Sequence, residues 1–106
     1  MNFGILIETN EPEKAWNGVR FANASLKAGH AVRIFLISAG VEIEHITHEK
    51  FNVQVQLQEF TQLGGTVDCC GTCKRGRELP STDICPISSM SELIAMVEWA
   101  DKTLTF

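Results

Sequence analysis

The apolar positions of this chain fall into blocks whose period changes along its length. Phe3-Gly4-Ile5-Leu6-Ile7 is a nearly continuous apolar run, which predicts a short buried strand. Asn10-Glu11-Pro12-Glu13 follows. Asn10 is placed to cap a helix, Pro12 suits a first turn, and the two glutamates suit the positive end of the helix dipole. Trp16, Val19, Ala22 and Leu26 then recur at helical spacing as far as Gly29, a suitable C-terminal stop, so a helix is predicted over 12–28. From Ala31 to Ile37 the apolar run resumes, as expected of a parallel strand covered on both faces. Strand, helix and strand in this order make a βαβ unit, whose crossover is expected to be right-handed.

The second half is less regular. Ser38-Ala39-Gly40 ends the second strand as a turn, and 41–47 is expected to be a short helix or loop. Over 52–63 two periods compete. Val53, Val55 and Leu57 alternate as in a strand, whereas Val53, Leu57, Phe60 and Leu63 fit a helix. The Gly64-Gly65 stop and the intervening glutamines favour the helix. Thr66-Val67-Asp68-Cys69 reads as the third strand, 74–83 as a polar loop, and a short fourth strand is expected to include Ile84. Ser89-Met90-Ser91-Glu92 has the form of a capping box, and Met90, Leu93, Val97 and Ala100 continue it as one apolar stripe. Met90 and Met96 are expected in the core, Trp16 and Trp99 in packing or interface positions, and Thr103–Phe106 in a last strand. Alternating strands and helices in 106 residues predict a single α/β domain over 1–106.

Charge narrows the partners. Nine basic against thirteen acidic side chains leave a net charge of −4, which argues against direct nucleic-acid binding. The one basic cluster, Lys74 to Arg77, is too short to track a nucleic-acid backbone. No apolar run approaches the length of a membrane span. The N-terminus, Met1-Asn2-Phe3-Gly4-Ile5, has neither the basic region nor the cleavage site of a signal peptide. A cytoplasmic protein is therefore expected. In that compartment clustered thiols indicate metal or redox work rather than structural disulfides.

The thiols are clustered. Cys69-Cys70-Gly71-Thr72-Cys73 is followed at once by Lys74, Arg75 and Arg77, and Cys85 precedes Pro86. A thiol is nucleophilic as its thiolate, which nearby positive charge favours. Neighbours on a strand point to opposite faces, so Cys69 reads as a packed hydrophobe, while Cys70 and Cys73 lie beyond the strand end beside glycine and cations. The cysteine loop then sits at the C-terminal edge of the sheet, where open α/β folds place their sites. Glu8-Thr9-Asn10 follows the first strand at the same edge and is a candidate to line the pocket. Cys70-x-x-Cys73 is also half of a zinc site, but Cys85 has no partner at ligand spacing and His30, His45 and His48 are remote in sequence. His45 and His48 read as surface or packing side chains. Cys-Gly-Thr-Cys has the spacing of a redox dithiol, yet Lys-Arg-Gly-Arg-Glu-Leu-Pro is a poor continuation for the long helix such motifs open. Phosphate-loop, zincin and hydrolase-elbow motifs are absent.

Taken in order, several segments resemble the DsrE/DsrF-like sulfur-relay family. They are Phe3 to Ile7, the helix bearing Trp16 and Ala22, Leu36-Ile37-Ser38-Ala39-Gly40-Val41 and Gly64-Gly65-Thr66-Val67. Then come Cys70-Gly71-Thr72-Cys73 with its following arginines, Cys85-Pro86-Ile87-Ser88-Ser89-Met90, and Ala100-Asp101-Lys102-Thr103-Leu104-Thr105-Phe106. The resemblance covers most of the chain. It implies a three-layer α/β/α fold with a mainly parallel sheet of about five strands. It implies a cytoplasmic homo-oligomer, trimeric or hexameric, and a loop cysteine after the third strand that carries sulfur as a persulfide. This chain differs in clustering three cysteines and in bringing its arginines closer to them than is usual in the relay members.

The expected function is that of a small sulfur-transfer protein acting between donor and acceptor proteins, with no resident cofactor or metal. Cys70 is the expected carrier. Cys73 and Cys85 are expected as resolving or secondary thiols, with Cys85 reaching either partner across a flexible loop. Lys74, Arg75 and Arg77 are expected to lower the carrier's pKa and stabilise the persulfide anion. The alternatives are a zinc or iron–sulfur oligomer without turnover, or a thiol–disulfide redox protein, using the same cysteines.

Overall fold

The structure, a computed structural model, describes residues 1–106. Five parallel strands form one sheet: β1 Asn2–Ile7, β2 Ala31–Leu36, β3 Thr66–Cys70, β4 Ile87–Ser88 and β5 Lys102–Thr105, in the order β4-β3-β2-β1-β5. Four α-helices accompany them, α1 Pro12–Lys27, α2 Val53–Gln62, α3 Gly71–Gly76 and α4 Met90–Trp99, with a 3₁₀ segment over Ser38–His45. The expected α/β class and five-stranded sheet are present, and every strand pair is parallel.

The pleat sorts the residues into two layers. Gly4 faces α4, since a Cβ there would lie 3.2 Å from the Ala100 Cβ and 3.3 Å from the Met96 Cε. Ile7, three residues on, faces α1, its Cδ1 lying 3.2 Å from where a Cβ on Gly18 would stand. Carried across the register, Ile5, Ile34, Val67 and Cys69 face α1 and α2, while Arg33, Phe35, Asp68 and Cys70 face the α4 side. The two crossovers carrying the chain from β1 to β3 therefore use one face, and the return through α4 to β5 uses the other, as a single handedness requires. The main core lies between the sheet and α1/α2, where Ile5, Ile7, Ile34, Leu36, Val19, Leu57 and Phe60 are all buried. No helix is long and apolar enough to cross a membrane.

Several local expectations are corrected. α1 is capped by Glu11, not Asn10, because the Glu11 carboxylate reaches the Glu13 and Lys14 amides at 3.2 and 2.8 Å. These bonds hold its pKa below the ordinary value. The fourth strand begins at Ile87, past Ile84, where Cys69 and Cys70 offer pairing partners. Ser89 is the N-cap of α4, but the capping box is not closed: no side-chain bond is made, and the Glu92 carboxylate turns to Arg33 at 3.9 Å. The expected apolar stripe on α4 is split: Leu93 packs against the core and Ala100 is half-buried, but Met90 and Val97 are exposed. Met96 is buried, whereas Met90, Ile94 and Val97 are 53%, 58% and 48% exposed.

Candidate functional site

Gly40 fixes the first wall of the site. A Cβ there would stand 1.9 Å from the Ile7 carbonyl oxygen, so only glycine lets the 3₁₀ segment fold back against the end of β1. This turn leaves Ser38 in the left-handed region at φ 54°. Its main-chain N–H then points across the sheet edge and donates to the Cys73 Sγ at 3.2 Å.

Cys70 and Cys73 come together at the end of β3. Cys70 is not free of the strand, as its sequence position suggested. It is the last residue of β3 and the N-cap of α3, and 6% of it is exposed. The expected cysteine loop is this six-residue helix. One turn brings Cys73 over Cys70, and the Cys73 N–H donates to the Cys70 Sγ at 3.4 Å. The two thiols line the same pocket, Cys73 being the more accessible. Burial, and then the Cys70 thiol, push the Cys73 thiol above its ordinary value; the Ser38 amide and Arg77 oppose this and lose.

These thiols line a pocket of about 340 Å³ with Gly71, Thr72, Arg75, Ser88, Ser89 and Met90. Gly71 leaves room for the Arg75 guanidinium, whose Nη1 would lie 3.0 Å from a Cβ at that position. Arg75 is thus the cation beside the thiols. Arg77 turns away to Glu42, with Nε 2.7 Å from the Glu42 Oε2, and its Nη1 also donates to the Cys73 carbonyl at 3.3 Å. The Arg77 contact, with a weaker one from Asn10, holds the Glu42 carboxyl below its ordinary value. Glu8, Thr9 and Asn10 do not line the pocket; Asn10 joins the site only through Glu42.

The other expected members are placed elsewhere. Lys74 does not face Cys70. It is buried, and its ammonium donates to the Pro80 and Cys85 carbonyls at 2.9 and 2.8 Å. Cys85 does not reach Cys70 or Cys73 from a flexible loop: it is fully buried, with its thiol against that of Cys69. The Cys69 N–H donates to the Pro86 carbonyl at 3.0 Å, and Thr82 ties the same segment to Glu44 at 2.9 Å and to the Cys85 N–H at 3.0 Å. The contact with Cys85, helped by Lys74, lowers the Cys69 pKa against the opposing effect of burial. Cys69 and burial push the Cys85 thiol up.

All four thiols are free, and they make two pairs on opposite faces of β3, Cys70 with Cys73 and Cys69 with Cys85. No group of three or more His, Cys, Asp and Glu side chains is arranged to hold a metal ion. Of the expected site residues, Cys70, Cys73 and Arg75 converge on the pocket, Arg77 reaches the thiol pair only at the Cys73 carbonyl, and Cys85 lies elsewhere. Sequence reasoning preferred a turn at Ser38 over an amide donor, and did not name Ser88 and Ser89 on the far wall as site residues. The signal for Ser38 was a serine directly before Ala39-Gly40 at a strand end, where a close backbone approach demands glycine.

Comparison with known proteins agrees with this fold. The chain is 34% identical over 115 residues to the uncharacterized protein MJ0989 of Methanocaldococcus jannaschii, covering both in full. It is 30% identical over 100 residues to the uncharacterized protein MK0008 of Methanopyrus kandleri, covering 89% of this chain and 83% of that one. Among solved structures, the ychN protein of E. coli superposes with a TM-score of 0.84 at 29% identity, covering all of both chains. BT1422 of Bacteroides thetaiotaomicron shares the fold, with a TM-score of 0.77 at 21% identity over 99% of this chain and 94% of that one. The sequence model of the DsrE/DsrF-like family matches residues 1–106, and the chain belongs to that family.

Proposed function

We propose that the protein takes up sulfane sulfur on Cys70 as a persulfide. The observation that carries this reading is the Cys70–Cys73 thiol pair beside Arg75 in a pocket at the C-terminal edge of the sheet. The Cys70 thiolate attacks the outer sulfur of a donor persulfide, R–S–SH. The donor's S–S bond breaks, R–S⁻ leaves with the bonding pair, and Cys70–S–SH forms. Arg75 supplies positive charge next to the anionic persulfide, and pocket walls shield it from bulk water. Membership of a sulfur-relay family supports the same chemistry. In this reading the protein is cytoplasmic and takes its sulfur from, and yields it to, other proteins.

The reading extends to assembly. Met90, Ile94 and Val97 form an exposed apolar stripe on α4, of which Met90 also lines the pocket. A homo-oligomer, trimeric or hexameric, that covers this stripe also shelters the site.

The test is persulfide loading from a sulfurtransferase donor, with the modified cysteine mapped by mass spectrometry. Cys70→Ser is expected to abolish loading and Cys69→Ala to leave it intact. Normal loading of Cys70→Ser would sink the assignment.

A further inference from the structure

We propose that the site also discharges its sulfur: Cys73 attacks a persulfide held on Cys70 and expels it as hydrogen sulfide, leaving a Cys70–Cys73 disulfide. This rests on the persulfide reading above and specifies the fate of the sulfur.

A pure relay needs its persulfide to survive until an acceptor arrives. Here a second thiol stands one helical turn from the carrier, on the residue whose own N–H holds the carrier sulfur. The Cys73 N–H holds the Cys70 Sγ at 3.4 Å, and the Ser38 N–H holds the Cys73 Sγ at 3.2 Å, so both sulfurs are positioned by the backbone. Well-oriented intramolecular nucleophiles act at effective molarities of roughly 10⁵ M or more, so discharge competes with transfer to an acceptor. The Ser38 amide is also a donor aimed at the sulfur that must become the thiolate.

Geometry selects which sulfur is attacked. Cys73 is tied to the Cys70 Sγ through its own N–H and shares its pocket, while an added outer sulfur has that pocket to extend into. Attack at Sγ breaks the persulfide S–S bond and forms Cys70–S–S–Cys73. The Cys73 proton passes to the outer sulfur, and the bonding pair leaves with that sulfur as HS⁻, a better leaving group than a cysteine thiolate. The sulfane sulfur gains two electrons, and the two cysteines lose them. An external dithiol restores the pair by attacking the more accessible Cys73 sulfur, and itself becomes a disulfide. The balance is R–S–SH plus dithiol giving R–SH, H₂S and a disulfide. Cys85, buried behind β3 against Cys69, takes no part.

The experiment mixes the protein with one equivalent of glutathione persulfide, without added reductant, and measures free sulfide and protein mass. The expected result is close to one equivalent of sulfide, with the protein two hydrogens lighter and Cys70 cross-linked to Cys73. Cys73→Ser is expected to keep one added sulfur on Cys70 and to release sulfide at least about tenfold more slowly. That retained sulfur also shows the variant to be folded. Wild-type protein that holds the added sulfur and releases no sulfide overturns the discharge step and leaves the carrier reading standing. Wild-type protein that neither loads nor releases sulfide sinks both. Sulfide release from Cys73→Ser at the wild-type rate also overturns the proposal, as does loss of loading in both Cys73→Ser and Cys73→Ala, which would make Cys73 the first nucleophile.

Discussion

The main-chain N–H of Ser38 donates to the Sγ of Cys73 at 3.2 Å, joining the ends of β2 and α3 across 35 residues of sequence. The bond exists because Ser38 is held at φ 54°, a conformation that non-glycine residues adopt only at a cost. Strain at the turn and a donor at the thiol are therefore one feature.

Ser38→Val tests this feature. A β-branched residue cannot hold φ 54° without further strain, so a loss of about 1–3 kcal/mol is expected in chemical denaturation. The Ser38 amide lowers the Cys73 pKa, so displacing it should move the Cys73 alkylation midpoint to still higher pH. Cys70→Ala should move it the other way, toward the ordinary 9.0, because the Cys70 thiol is one of the groups that raise it. Iodoacetamide rates against pH, read at Cys73 by mass spectrometry, check both directions.

Lys74→Met should destabilise the fold without altering the pocket walls. The buried ammonium donates to the Pro80 and Cys85 carbonyls, and methionine fills the space but leaves both acceptors unpaired. A loss of roughly 2–4 kcal/mol is expected. A Lys74→Met denaturation midpoint equal to wild type would show that the carbonyls find other donors.

Ile94→Glu is expected to weaken self-association. Ile94 is 58% exposed at the centre of the α4 stripe, so the monomer tolerates a carboxylate there while an apolar interface does not. Sedimentation velocity at micromolar concentration should show an oligomer for wild type and a shift toward monomer for the variant. A monomeric wild type would refute the assembly.

Asp68→Asn should stabilise the protein at neutral pH. Asp68 faces the α4 side of β3, and burial raises its pKa above the ordinary 3.8, against the pull of Arg33 and with a push from Glu92. The folded state therefore binds this proton more tightly than the unfolded state. The contribution of Asp68 is fully present below pH 3.8 and is lost as pH rises through the raised value. The variant's melting temperature should exceed that of wild type at pH 7, with the gap closing near pH 3.5. An advantage of equal size at both pH values would assign the gain to packing.

Local chemistry suffices for the elements with an unambiguous period. β1 and β2 are near-continuous apolar runs, and α1 carries helical spacing between a proline start and a glycine stop. Strand alternation likewise separates Cys69 from Cys70 on the residues alone. Whatever depends on a partner distant in the chain was settled by the fold. β4 is a strand only where Cys69 and Cys70 pair with it, which no local pattern records. The α4 stripe has helical period in either case, but the sheet takes the face of Met96 and leaves that of Ile94 to solvent. Lys74 follows Cys73 directly and reads as an activating cation for the Cys70 carrier. The turn of α3 instead carries it under the loop, where two carbonyls compensate its burial. Cys85 is twelve residues beyond Cys73, but segment 80–86 folds it behind β3 against Cys69. Ser38 meets Cys73 because parallel β2 and β3 end side by side. Periodicity reports which face of an element is apolar; only the folded chain sets which face meets which neighbour, and the thiol pairing depends on that.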